Sequence, residues 1–232
     1  MPKTEVWGVG VRVRVFAAGL AVVAAVAGCG GLEARSSGAT GGKPASGDVA
    51  QARDKLGKLA VKGRAPKTGF DRDQFGPAWS DVDHNGCDTR NDILKRDLEN
   101  ETFKSGTHDC IVLTGTLKDP YSGKTIEFKR GQNTSTAVQI DHLVPLSDAW
   151  QKGAQQWSAA KRKEFANDPL NLLAVDGPLN GQKSDSDAAT WLPPRRAYWC
   201  AYVIRQIDVK DKYGVWVTSG EKDAMEKILK DC

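Results

Sequence analysis

The chain contains only three histidines, His84, His108 and His142, and the last is set apart by its neighbours. His142 directly follows Asp141 at the end of an apolar run, in Gln139-Ile-Asp-His-Leu-Val-Pro-Leu146. Two asparagines lie downstream: Asn171 in Asp168-Pro-Leu-Asn-Leu-Leu173, and Asn180 in Leu179-Asn-Gly-Gln-Lys-Ser-Asp185. A histidine titrates near neutrality and can carry a proton to or from a reacting group. Aspartate and asparagine oxygens are hard donors of the kind Mg²⁺ takes. Each residue alone also fits an ordinary role: a hydrogen-bonded histidine beside an aspartate, a turn asparagine, an Asn-Gly turn dipeptide. Any chemistry therefore depends on the elements that bring them together.

Those elements can be read from periodicity and punctuation. Residues 48–61 carry Val49, Ala52, Leu56, Leu59 and Ala60 near helical spacing. Residues 64–77 are turn-rich, and Thr89-Arg-Asn-Asp92 is a capping-box-like start for a helix to about Leu98. Residues 109–117 and 124–130 are β-rich, and Asp119-Pro-Tyr-Ser-Gly123 between them supplies turn chemistry, which predicts a hairpin. Residues 138–142 and 170–175 read as short strands, with a helix over 157–165 between them. A long helix follows from Arg195 to about Asp211, and Thr218-Ser-Gly-Glu221 caps a last helix to Leu229. No internal repeat interrupts this order. The expected fold class is α+β.

Strand, Asp-His, a long loop, Asn at the next strand, then Asn before Lys-Ser-Asp is the layout of the ββα-metal finger. The segment closely resembles the HNH endonuclease superfamily, including the HNH domain of RNA-guided CRISPR nucleases. It is more similar still to exported bacterial HNH proteins related to the C-terminal nuclease domain of modification-dependent restriction enzymes. The matching stretches are Asp141-His-Leu-Val-Pro-Leu146 with Ala149-Trp150, Asn167-Asp-Pro-Leu-Asn-Leu172, Asn180-Gly-Gln-Lys-Ser-Asp185 and Trp191-Leu-Pro-Pro194. The resemblance runs from about Phe70 to the C-terminus. It implies an HNH finger at about residues 136–194, embedded in a mixed domain with a β-hairpin and flanking helices.

The resemblance also implies roles. His142 is the general base, and Asp141 and Asn180 are the two protein ligands of one divalent cation. Asn171 fixes the loop, holding the His142 ring in line through a backbone hydrogen bond. An asparagine in place of the last histidine of a literal His-Asn-His pattern favours Mg²⁺ or Mn²⁺ over Zn²⁺ or Ni²⁺. Lys183 is a candidate phosphate contact, with a solvated lysine as the alternative. Arg195, Arg196 and Arg205 are further candidates, against the plain reading that they form the wet side of a helix. The substrate so implied is DNA, read with little sequence specificity. The alternative is a non-catalytic envelope lipoprotein that keeps the finger as a scaffold for nucleic acid or a wall polymer. A nuclease for RNA or modified DNA is a third reading. No GxxxxGK[ST] phosphate loop is present.

Two further patterns compete for attention. Asp81-Val-Asp-His-Asn-Gly86 resembles the first half of a calcium loop, with Asp92 at the twelfth position, where a bidentate Glu is usual. An Asx-rich turn before a helix, pinned by Cys87, is the favoured reading. The tryptophans Trp150, Trp157, Trp191, Trp199 and Trp216 are read as packing residues rather than base-stacking platforms.

The N-terminus carries Lys3, Arg12 and Arg14 before an uncharged run from Val15 to Gly28, about the length of a signal-peptide core. It ends in Val26-Ala-Gly-Cys29, which resembles a bacterial lipobox with Cys29 as the lipidated residue. The expected organisation is a signal peptide at 1–28, a flexible Gly/Ser/Ala-rich tether at 29–47 and a catalytic domain at 48–232. The expected location is the outer face of the cell membrane, or the medium if Cys29 is not lipidated. Setting Cys29 aside leaves Cys87, Cys110, Cys200 and Cys232, an even set that suggests two disulfides in an exported protein. Pairing sequence neighbours gives Cys87–Cys110 and Cys200–Cys232. A zinc site is the rival, but no Cys or His pair has ligand spacing.

Composition bounds these readings. A chain 40% hydrophobic and 27% charged is neither a polytopic membrane protein nor wholly disordered. The net charge of +4 belongs mostly to the N-terminal segments: residues 1–28 carry +2 and residues 29–47 carry +1. The domain keeps only +1, so any basic face for nucleic acid must be local. Nothing in the sequence points to a protein partner.

Overall fold

A computed structural model describes residues 44–232. The expected signal peptide, the expected tether up to residue 43 and Cys29 lie outside the described residues. Helix α1 (Ser46–Lys58) opens the domain, and α2 (Thr89–Asp97) leads directly into β1 (Leu98–Phe103). Strands β2 (Val112–Lys118) and β3 (Thr125–Lys129) form the expected hairpin, which β1 extends to a three-stranded antiparallel sheet. A second sheet pairs β4 (Val138–His142) with β5 (Leu172–Asp176), antiparallel. Between those strands lie α3 (Leu146–Gln151) and α4 (Ala159–Asn167). Helix α5 (Gly177–Lys183) follows β5 at once, and α6 (Trp199–Tyr213) and α7 (Ser219–Lys230) complete an α+β domain.

Most elements start or end a few residues from the sequence expectation, and at two of them the physical reason is visible. The cap of α2 is Asp88, whose carboxylate accepts from Asn91 N, so Thr89 is the first helical residue instead of the cap. The helix expected from Arg195 starts at Trp199, because a 3₁₀ turn over Arg196–Tyr198 precedes it. Strand β1 was not legible at all. Its sequence LENETF is polar at an irregular edge, with a left-handed Asn100 between shifted registers.

The β4–β5 pair is covered on both faces, which explains the unbroken apolar run in β5. On one side Val138, Ile140, Leu172 and Ala174 join α2 and the three-stranded sheet. On the other, Leu173 and Val175 join Tyr121 and residues of α1, α6 and α7. A third cluster, built on Phe75, Trp150, Phe165 and Tyr213, packs α3, α4 and the end of α6. Beside it runs a buried charge network of three cations and three anions. Lys152 lies 2.7 Å from Asp148, 2.9 Å from Asp187 and 2.6 Å from Glu221. Arg64 reaches Asp148 and Asp187, and Lys210 reaches Glu221. The network ties α3, the segment after α5, α6 and α7 into one frame.

The disulfides are Cys87–Cys110 and Cys200–Cys232, the neighbour pairing. No helix among the described residues is long and apolar enough to cross a membrane.

Candidate active site

Strand alternation sends Asp141 and His142 to opposite faces of β4, while both sit at the strand end that opens on a cleft. The cleft, of about 280 Å³, is lined by Asp141, His142 and Asn180 together with Lys67, Arg72 and Asp185. Three of the four expected residues thus share one opening. Helix α5 brings Asn180 there, and its start is tightly fixed. Asp176 caps it by accepting from Leu179 N, and Gly177 is packed so closely that an added Cβ would lie 2.0 Å from the Thr136 carbonyl oxygen. The Asn180 amide donates to Gln139 Oε1 at 2.8 Å, which joins α5 to β4.

His142 is 9% exposed and its Nε2 lies 2.9 Å from the carbonyl oxygen of Ala166, at the end of α4. A carbonyl can only accept, so Nε2 carries the hydrogen and Nδ1 holds the lone pair of the neutral ring. Nδ1 accepts no hydrogen bond from a described residue. Burial lowers the imidazole pKa to about 4, opposed by the Ala166 bond and aided by the positive charges of Arg72 and Lys183. The ring is therefore neutral at pH 7.

Asn171 is fully buried and grips the chain two residues beyond His142. Its Oδ1 accepts from Val144 N at 2.8 Å and its Nδ2 donates to the Val144 carbonyl at 3.2 Å. The imidazole itself donates to the Ala166 carbonyl, so Asn171 acts on the loop and Ala166 on the ring.

The Asp141 carboxylate has two partners that sequence reading did not anticipate. Lys183 Nζ donates to Oδ1 at 2.8 Å, and the Tyr121 hydroxyl donates to Oδ2. Burial pushes the Asp141 carboxyl upward, against the pull of Lys183 and Tyr121. Tyr121 is fully buried at the tip of the β2–β3 hairpin. The turn is anchored by Asp119, whose Oδ1 accepts from Asp176 N at 3.0 Å. The stretch Asp119-Pro-Tyr-Ser-Gly123 therefore does more than turn the chain. It delivers a hydroxyl to Asp141 and holds the β5–α5 junction.

The structure corrects the phosphate candidates. Lys183 is neither solvated nor open to a ligand: it is fully buried, paired with Asp141 and the His142 carbonyl oxygen. Arg205 is spent on backbone, donating to the carbonyls of Leu170, Pro169 and Leu172. Arg195 is half-buried against the hairpin turn, with its backbone N–H on the Tyr121 carbonyl. Arg196 is exposed and lies over the Trp199 ring at 5.1 Å. None of these three arginines lines the cleft. The cations that do are Lys67, paired with Asp185 at 2.9 Å, and Arg72, which has no ion-pair partner among the described residues. Both stand in the turn-rich stretch before Pro77, where no periodicity marks them.

The Asp81–Gly86 loop uses its side chains on itself. Asp81 accepts from Gly86 N, Asp83 from Asn85 N, and the Asn85 amide reaches Asp83 and Asp92. No group of three or more His, Cys, Asp or Glu suited to a metal ion occurs among the described residues. Asp141 and Asn180 supply two hard oxygens at an open cleft, which fits Mg²⁺, an ion that usually keeps several waters. Each Asp141 oxygen accepts one hydrogen bond and retains a lone pair for a further partner.

Comparison with known proteins places the chain in a family. The family described as GmrSD restriction endonucleases, C-terminal domain, matches residues 88–228. A protein of Arthroderma benhamiae named "Uncharacterized secreted protein" is 37% identical over 183 residues, covering 78% of this chain and 84% of that one. No solved structure matches. The chain belongs to the GmrSD C-terminal-domain family.

Proposed function

We propose that this member of the GmrSD C-terminal-domain family is an HNH-type nuclease that hydrolyses DNA phosphodiester bonds with one divalent cation, Mg²⁺ or Mn²⁺. The family description speaks of restriction endonucleases. The observation that carries the reading is the state of His142. Its Nε2–H is committed to Ala166, which leaves Nδ1 without a hydrogen-bond donor among the described residues, and His142 lines one cleft with Asp141 and Asn180.

In this reading His142 Nδ1 takes a proton from the attacking water, a step that contributes roughly 10²–10⁴-fold in rate. Ala166 fixes which nitrogen does so, and Asn171 keeps the His142–Val144 backbone from shifting. Asp141 and Asn180 would hold the cation, with Lys183 and Tyr121 orienting the Asp141 carboxylate. The cation would neutralise charge on the pentacovalent phosphate and the leaving oxygen. Arg72 is the cleft cation without an ion-pair partner among the described residues, and it binds a phosphate oxygen.

Export is part of the proposal. It rests on the secreted relative, the two disulfides and the signal-like N-terminus, with Cys29 as lipid anchor. The purified protein should nick supercoiled plasmid in Mg²⁺ or Mn²⁺ and stop on chelation with EDTA. Nicking that survives EDTA would remove the cation from the reading. Cys29→Ser should release the protein from membranes, and unchanged retention would remove the anchor.

A further inference from the structure

A second pocket adjoins the cleft at His142. It is lined by Trp79, Phe75, Pro77, Asp73 and Asn167, and it shares His142, Arg72 and Leu146 with the cleft. Most of its lining is apolar, with two features that call for explanation. The first is Asn167, 1% exposed, whose Oδ1 is buried without a hydrogen-bond partner. Its orientation is not arbitrary: Nδ2 donates to the Lys163 carbonyl at 2.9 Å, and a carbonyl can only accept, so Oδ1 is the free atom. A buried acceptor left unpaired keeps its desolvation penalty without recompense, so it asks for a donor.

The second feature is Trp79. It stands at φ 59°, a left-handed conformation that a bulky side chain rarely takes. Its flanks hold it there. Ser80 Oγ donates to the Pro77 carbonyl at 3.0 Å, and Thr89 Oγ1 donates to the Ser80 carbonyl. The Cys87–Cys110 disulfide pins the end of the same loop. The result is an indole nearly parallel to the His142 imidazole, 13° between planes and 6.1 Å between centroids.

We infer that this pocket receives the nucleobase of a nucleotide adjoining the scissile phosphate, stacked on Trp79, with a base N–H donated to Asn167 Oδ1. The inference rests on the nuclease reading of the neighbouring cleft. A nucleotide carries its base one sugar away from its phosphate, and the two cavities stand in that relation because they share His142 and Arg72. A flat aromatic face beside one buried acceptor, with the exposed Asp73 carboxylate as a second acceptor at the rim, suits the N–H edge of a base better than a sugar or a peptide side chain.

The test is equilibrium binding in EDTA of short single-stranded deoxyoligonucleotides to the full chain, each carrying one abasic site at a different position. At one position the abasic site should weaken binding roughly 5- to 150-fold, the span that stacking of one base supplies. Trp79→Ala should abolish that difference and Trp79→Phe should keep most of it, which separates stacking from misfolding. A position effect that survives Trp79→Ala, or none in the parent protein, overturns the base pocket. A protein with the position effect that never cleaves DNA in Mg²⁺ would retire the nuclease reading and leave the pocket standing. Cleavage without the effect would do the reverse.

Discussion

Lys183 Nζ lies 2.8 Å from Asp141 Oδ1 and donates to the His142 carbonyl oxygen at the same distance, with no exposure to solvent. One buried cation from the end of α5 therefore fastens the two adjacent residues on which the proposed chemistry depends. It acts on the carboxylate of one and the backbone of the other.

Removing that cation should leave Asp141 buried without its counter-charge. Lys183→Met is expected to cost about 3–5 kcal/mol, the usual penalty for breaking one side of a buried pair. Replacing both partners, as Lys183→Met with Asp141→Asn, should recover part of the loss. Urea unfolding of the two single variants and the double variant checks this, and strictly additive losses would show that the pair is not coupled.

His142 predicts a pH dependence. Its pKa falls from an unfolded value of about 6.5 to about 4 in the folded protein. Between those values the unfolded chain binds the extra proton and the folded chain does not, so stability rises with pH across this window. The contribution is fully present above pH 6.5 and is lost as pH falls toward 4. Thermal melts of metal-free protein should lose more between pH 6.5 and 4 than melts of His142→Gln. Equal losses would contradict a buried neutral imidazole.

Two glycines of α5 should respond with opposite signs. Gly177 cannot accept a methyl group, because its Cβ would fall 2.0 Å from backbone oxygen, and Gly177→Ala should destabilise by about 1–3 kcal/mol or displace the helix start. Gly181 faces open space within the same helix, and Gly181→Ala should stabilise by about 0.5–1 kcal/mol. Denaturant midpoints of the two variants moving the same way would contradict the placement of α5.

What was legible in the sequence and what was not divides along physical lines. Strand β4 could be read because Val138 and Ile140 alternate toward one core before Asp141 and His142 end the run. The β2–β3 hairpin could be read from Asp119-Pro-Tyr-Ser-Gly123, and the disulfide pairing from adjacency. The supporting contacts could not. Tyr121 on Asp141 spans 20 residues, Ala166 on His142 spans 24, and Lys183 on Asp141 spans 42. No local pattern encodes such pairs. The arginines escape local reading for the same reason: a solvated cation and one capping three carbonyls, as Arg205 does, look alike in one dimension. Helix α5 was hidden because Asp-Gly-Pro and Asn-Gly read as turn chemistry, whereas Asp176 and Pro178 serve here to start a helix.

The central claim is that His142 serves as the general base for DNA hydrolysis. The most direct measurement is the single-turnover nicking rate of supercoiled plasmid by the purified protein in Mg²⁺, with His142→Ala alongside and circular dichroism recorded for both. The account predicts an unchanged spectrum and a rate lowered roughly 10²–10⁴-fold. A folded His142→Ala protein that nicks at the parent rate would contradict it.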